Sequence, residues 1–97
     1  MAVTDAAGFL NRASDEMKER AKTYDSKGGE RSIHATVTAF NAVTGHNLTE
    51  QDGWLFMMLL KAVRANQGGY HEDSHTDMVA YAALLAESAS WADEHGV

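Results

Sequence analysis

The chain has 97 residues, a formal charge of −6, no cysteine and no proline. That length makes one domain, residues 1–97, with a modest core, because small domains hide a smaller share of their surface. Lack of thiols excludes disulfides and thiolate metal sites, and the acidity disfavours general binding to nucleic acid, which needs a basic surface.

No apolar run approaches the roughly 18 residues of a membrane span. The N-terminus lacks the basic region and apolar core of a signal peptide, so the expected location is the cytoplasm of a bacterial host. The acidic surface reads as a solubility device rather than a mimic of DNA, since dense acidic runs are missing. Abundant Ala, Met and Leu favour helix.

The first predicted helix runs from Asp5 to Tyr24, with Thr4 or Asp5 as its cap. Phe9, Leu10, Ala13, Met17, Ala21 and Tyr24 recur at spacings of three and four, the signature of one apolar face. Asn11, Arg12, Asp15, Glu16, Lys18, Glu19 and Lys22 form the other face. Asp25 to Gly29 reads as a flexible loop. The second helix spans Ser32 to Val43, with Ile33, Val37, Phe40 and Val43 on its buried face and Gly45 as a left-handed cap. The third opens at Thr49, a good N-cap, with Glu50 and Asp52 suiting the helix dipole. Trp54, Leu55, Met57, Met58, Leu59, Leu60 and Val63 leave it apolar on most sides, which makes it the central helix. Gly68-Gly69 follows. The fourth runs from Ser74 to Glu94, capped by Ser74 or Asp73. Its core face is Met78, Val79, Tyr81, Ala82, Leu84, Leu85 and Ala89, and Gly96 closes it. The expected fold is all-α: a compact bundle of about four helices, the third and fourth forming an antiparallel hairpin.

His71-Glu72-Asp73-Ser74-His75 fits H-E-x-x-H, which inside a helix puts two zinc-binding histidines on one face with a glutamate base. Three features oppose that use. The run sits at a helix entrance, so His71 falls outside the helix. A third zinc ligand is wanting, with His95 near a fraying end and Glu87 the other choice. And 97 residues leave little room for a peptide cleft.

The carboxylates of the same stretch carry more. Asp73 and Asp77 are four apart, and paired carboxylates at that spacing can hold Mg²⁺, which in turn binds phosphate oxygens. As structural residues, Asp73 would cap the helix and Asp77 would complement its dipole. Lys61 and Arg64, at the end of the third helix, face them across an antiparallel turn. They form either an ion-pair staple or a phosphate site beside a metal. Tyr81 adds a hydroxyl to the cluster or packs. Trp54 and Met57-Met58 are expected in the core, and Trp91 half exposed at a subunit interface. His34 and His46 have no partner pattern.

Several stretches resemble a group of small phage and prophage proteins that form a domain of unknown function. The matching features are Arg20 with Tyr24, Leu48-Thr49, the run Met57 to Arg64, His71, Asp73-Ser74, Asp77 and Tyr81-Ala82. The resemblance covers residues 12–88, and its most specific part is Lys61/Arg64 with Asp73-Ser74, Asp77 and Tyr81. It implies phage origin and a compact helical fold, without an activity. That group tends to have Gly directly after the tyrosine, where this chain has Asp25. A looser similarity reaches the all-α MazG-like nucleotide pyrophosphohydrolases, which hold Mg²⁺ between acidic residues of neighbouring helices in E-E-x-x-E and E-x-x-D runs. Here Asp15-Glu16-x-x-Glu19 matches the first in charge. Ser74-x-x-Asp77 lacks the first acid of the second unless Asp73 substitutes.

Together these readings lead us to expect a phage-encoded accessory protein that binds a host protein or a small nucleotide, away from membranes, as a homo-oligomer. The alternative is a Mg²⁺-dependent nucleotide pyrophosphohydrolase. There Asp15, Glu16, Glu19, Asp73 and Asp77 would hold metal and Lys61 and Arg64 phosphates, with Mg²⁺ polarising the phosphoryl group and activating water.

Overall fold

The structure, a computed structural model, describes residues 3–24 and 32–97, with the side chains of Ala21, Thr23 and Tyr24 left aside. The expected loop from Asp25 to Gly29, and the core roles of Ala21 and Tyr24, lie outside the described residues. Four helices follow in chain order: α1 Ala6–Tyr24, α2 Ser32–Thr44, α3 Glu50–Ala65 and α4 Glu72–Glu94. The described residues make an all-α bundle in which α3 and α4 pack most extensively, α1 lies on α4, and α2 lies on α3.

Local chemistry sets the helix ends. Asp5 caps α1, its Oδ1 accepting the Gly8 amide at 2.8 Å, which satisfies one of the orphan donors of a first turn. Gly45 ends α2 at φ 79°. The α2–α3 loop is closed by Asn41, whose amide donates to the Leu48 carbonyl and whose Oδ1 accepts the Leu48 amide, each at 2.9 Å. Thr49 and Asp52 open α3 with a reciprocal capping box. The turn into α4 passes through Gly68 at φ 75°.

α4 begins two residues earlier than the sequence suggested. Neither Ser74 nor Asp73 caps it; His71 holds the cap position with no side-chain capping bond. Glu72 and Asp73 therefore stand in the first turn, where carboxylates suit the helix dipole.

The core is narrow. Ala13, Val37, Trp54 and Leu84 are its buried apolar residues among those described, with Thr76 fully buried beside them. The Thr76 hydroxyl donates to the Glu72 carbonyl one turn back at 3.1 Å, so its burial leaves no polar atom unpaired. Trp54 stacks on Tyr81, ring centroids 5.8 Å apart, and locks α3 to α4. Several residues expected in the core are exposed instead: Leu10, Phe40, Val43, Leu55, Leu59, Val63, Ala82 and Ala89. They lie on helix faces that no other helix of this chain covers as fully as the Trp54 face is covered.

Candidate functional site

The entrance to α4 is tied to the rest of the chain by ion pairs. Arg12, at the edge of the polar face of α1, reaches across to α4. Its guanidinium contacts Glu72 at 2.7 Å and Asp73 at 3.3 Å, with Glu16 of its own helix at 4.0 Å. The Thr4 hydroxyl donates to the other Glu72 oxygen at 2.7 Å. That bond first, and then the Arg12 guanidinium, hold the Glu72 carboxyl below the ordinary carboxylate range. The same carboxylate raises Arg12 further above its already high value. Since the folded pKa of Glu72 is depressed, its stabilising contribution is present above the unfolded carboxylate value of about 4.3. It is lost as pH falls through the lower folded value. Glu72→Gln is therefore expected to unfold at lower urea than wild type at neutral pH. The gap should close in acid, and an equal gap at both pH values would show that Glu72 acts by something other than its charge.

Across the hairpin, Lys61 of α3 meets Asp77 of α4, Nζ to Oδ2 at 2.8 Å, with both side chains about five-sixths buried. A short turn puts these two positions at the same height on antiparallel helices. Arg64, the second cation of that run, is exposed and takes no part in this pair. Asp73 faces Arg12 rather than Asp77. The expected set of Lys61, Arg64, Asp73 and Asp77 thus does not form one cluster: Lys61 pairs with Asp77, Asp73 pairs with Arg12, and Arg64 enters neither pairing.

The acidic run of α1 divides too. Glu16 lines a narrow cleft with Met17, Arg20, Asp77, Ala80, Tyr81 and Leu84. Glu19 pairs with Lys22 at 3.5 Å, and Asp15 is exposed. The cleft holds about 20 Å³, room for one water and far below the roughly 300 Å³ of a small-molecule site. Among the described residues no three His, Asp or Glu side chains gather closely enough to form a metal-binding group.

Both histidines of the H-E-x-x-H run make contacts within the fold. The His71 ring bonds the Gln67 carbonyl at 2.7 Å, helping to close the turn. His75 stacks with Tyr70 at 5.6 Å and lies 6.3 Å from Phe9.

A second concavity, unseen in the sequence, lies where α2, α3 and the C-terminal half of α4 meet. His34, Ala35, Glu50, Glu87, Ser88 and Trp91 line a groove of about 510 Å³. Ser88 donates to Glu50 at 3.1 Å, and His34 Nδ1 lies 3.8 Å from the same carboxylate. Trp91 is 56% exposed and stacks on His95 with ring centroids 4.0 Å apart. The spacing of Glu87, Ser88 and Trp91 on one helix face was the one trace of this groove in the sequence. Nothing there joined that face to His34 or Glu50.

A family model described as "Domain of unknown function (DUF6378)" matches residues 6–89, from the first residue of α1 to within α4. The chain belongs to the DUF6378 family. The match takes in both pairings at the α4 entrance, the Glu16/Asp77 cleft and most of the Trp91 groove, stopping two residues before the tryptophan itself. No curated protein and no solved structure matches the chain. Among the described residues no helix is long and apolar enough to cross a membrane.

Proposed function

We propose that this DUF6378 protein is a phage accessory protein that works by binding a host protein rather than by turnover, with the Trp91 groove as its contact surface. The observation that carries this reading is Trp91 itself, more than half exposed and held flat against His95. Tryptophan set in a groove is the kind of side chain that dominates protein interfaces, offering a large apolar area at small entropic cost. Glu50 and Glu87 flank it, and the chain carries a net charge of −6. A basic segment of the partner suits that surface. Nucleotides, themselves anionic, suit it poorly. The phage association is supported by the resemblance carried by Lys61/Arg64 with Asp73-Ser74, Asp77 and Tyr81.

The test has two arms. A thermal-shift screen of nucleotides, with and without Mg²⁺, should show no stabilisation, because a ligand that binds the folded state raises its apparent stability. Tagged wild type in host lysate should retain one stoichiometric protein, and Trp91→Ala should lose at least about 30-fold in affinity for it, the weight of a hot-spot residue. Multiple-turnover hydrolysis of any nucleotide sinks the proposal.

One observation favours a second reading. Glu16 of the α1 acidic run and Asp77 of α4 line the same cleft with Arg20 and Tyr81. In a Mg²⁺-dependent nucleotide pyrophosphohydrolase, Glu16 and Asp77, with Glu19 and Asp73 nearby, would hold the metal, and Lys61 and Arg64 would hold phosphates. For this α1 must move away from α4 and Lys61 must release Asp77, since the cleft as it stands admits a single water.

A further inference from the structure

We propose that the outer face of α3 is the contact surface of a homodimer, with two copies packing this helix antiparallel about a two-fold axis beside Leu59. The proposal is independent of the Trp91 groove, which lies on another side of α3.

The chain exposes 6903 Å², against about 5400 Å² for a compact folded monomer of its mass. Its radius of gyration is 14.8 Å, against about 12.5 Å for a self-contained domain of this length. The excess is about 1500 Å² per chain. A standard stable interface takes about 800 Å² from each partner, and permanent homodimers take more.

Apolar surface stands open along one side of α3. Phe56 is 69% exposed, Val63 56%, Leu59 52% and Leu55 40%. At 100° per residue these four share one stripe of α3, directly opposite the face where Trp54 and Lys61 meet α4. A continuous stripe of this kind on a soluble protein marks an association surface.

Symmetry and charge select a second copy as the occupant. The stripe is centred on Leu59: Leu55 and Val63 lie one turn to either side. A two-fold axis there sets Leu55 of one copy against Val63 of the other and Leu59 against itself, the self-complementary arrangement of an isologous contact. The first turn of α3 carries Asp52 on the side of the stripe, Glu50 being turned the other way toward Ser88 of α4, and its last turn carries Arg64. Antiparallel copies bring the acidic start of one helix toward the basic end of the other and oppose their dipoles. Parallel copies would stack like charges.

Sedimentation equilibrium of the full chain should give twice the 10.5 kDa of one chain at micromolar concentrations. Leu59→Asp should halve that mass while keeping helical circular dichroism. Leu10→Asp, at another exposed apolar residue (61% exposed) on α1, should leave the dimer intact. Because Leu59→Asp could unfold a chain that needs its partner, a second measurement uses the absence of cysteine. Under oxidised glutathione, Leu59→Cys should form a disulfide-linked dimer, and Val43→Cys, exposed on α2, should not. A wild type with the mass of one chain overturns the proposal. So does dissociation by Leu10→Asp, or failure of Leu59→Cys to link faster than Val43→Cys.

Discussion

Removing Lys61 is expected to be among the most destabilising single changes in this chain, at about 3 kcal/mol for Lys61→Met. The cost is less the lost attraction than the Asp77 carboxylate left behind. That group lies in a site 17% exposed, facing a lysine 15% exposed at 2.8 Å. Without its partner it has neither a counter-charge nor full access to water. The same logic predicts an ordering among variants. Asp77→Ala strands the ammonium and costs a similar amount. Asp77→Asn keeps a hydrogen-bond acceptor of the same shape and costs less. The double replacement Lys61→Met with Asp77→Leu leaves no buried charge and is expected to fall close to wild type, since apolar replacement of a whole buried pair is often neutral. Urea midpoints of the four variants measure this. A double variant as unstable as either single change would mean that the pair does something beyond neutralising itself. Asp77→Asn also separates the two readings of the α1–α4 cleft: a nucleotide hydrolase would lose activity with its fold intact, whereas a staple would lose stability alone.

The Lys61–Asp77 pair was legible as one of two alternatives because it depends on one short turn. The residues are 16 apart, and an antiparallel hairpin with Gly68 in its turn sets them level. Arg12 with Glu72 and Asp73 was not legible. Those residues are about 60 apart in sequence, and nothing local says that α1 crosses the entrance of α4. Helical periodicity placed Arg12 on a solvent face, yet an arginine at the edge of such a face reaches a neighbouring helix with ease. The start of α4 was misread for a related reason. Ser74 has the chemistry of a cap, but Thr4 and Arg12 hold Glu72, and Gly68 turns the chain early enough for the helix to begin there. The exposed side chains of Leu10, Val43, Leu55, Leu59 and Val63 mark a different limit. Periodicity identifies the apolar face of a helix; it does not say whether the surface that covers that face belongs to the same chain.

The second large effect is expected at Gly53, a residue that sequence alone would count as a flaw. Glycine inside a helix costs about 1 kcal/mol relative to alanine, and Gly53 stands in the first turn and a half of α3, next to Trp54. Its value lies in what approaches it. A Cβ built there would come within 2.7 Å of Ile33 Cγ1 and 2.8 Å of Val37 Cγ2, closer than carbon atoms of packed side chains stand. Ile33 and Val37 are the residues by which α2 lies on α3. Both are β-branched, with χ1 fixed in a helix, so neither can swing aside cheaply. Gly53→Ala is therefore expected to destabilise by about 1–2 kcal/mol, the overpacking strain exceeding the gain in helix propensity. Gly53→Leu should cost about 3 kcal/mol and lift α2 from α3, exposing Val37 and opening the Trp91 groove on its His34 side. Urea unfolding gives the energies, and hydrogen exchange across Ser32–Thr44 reports whether α2 has come loose. The decisive control is Val37→Ala. Alone it leaves a cavity, but beside Gly53→Ala it removes one of the two closest contacts of the new methyl, Ile33 Cγ1 remaining, so the double variant should be more stable than the sum of the two single effects allows. Strictly additive losses here and beside Ile33→Ala would show that Gly53 is required for something other than the close approach of α2.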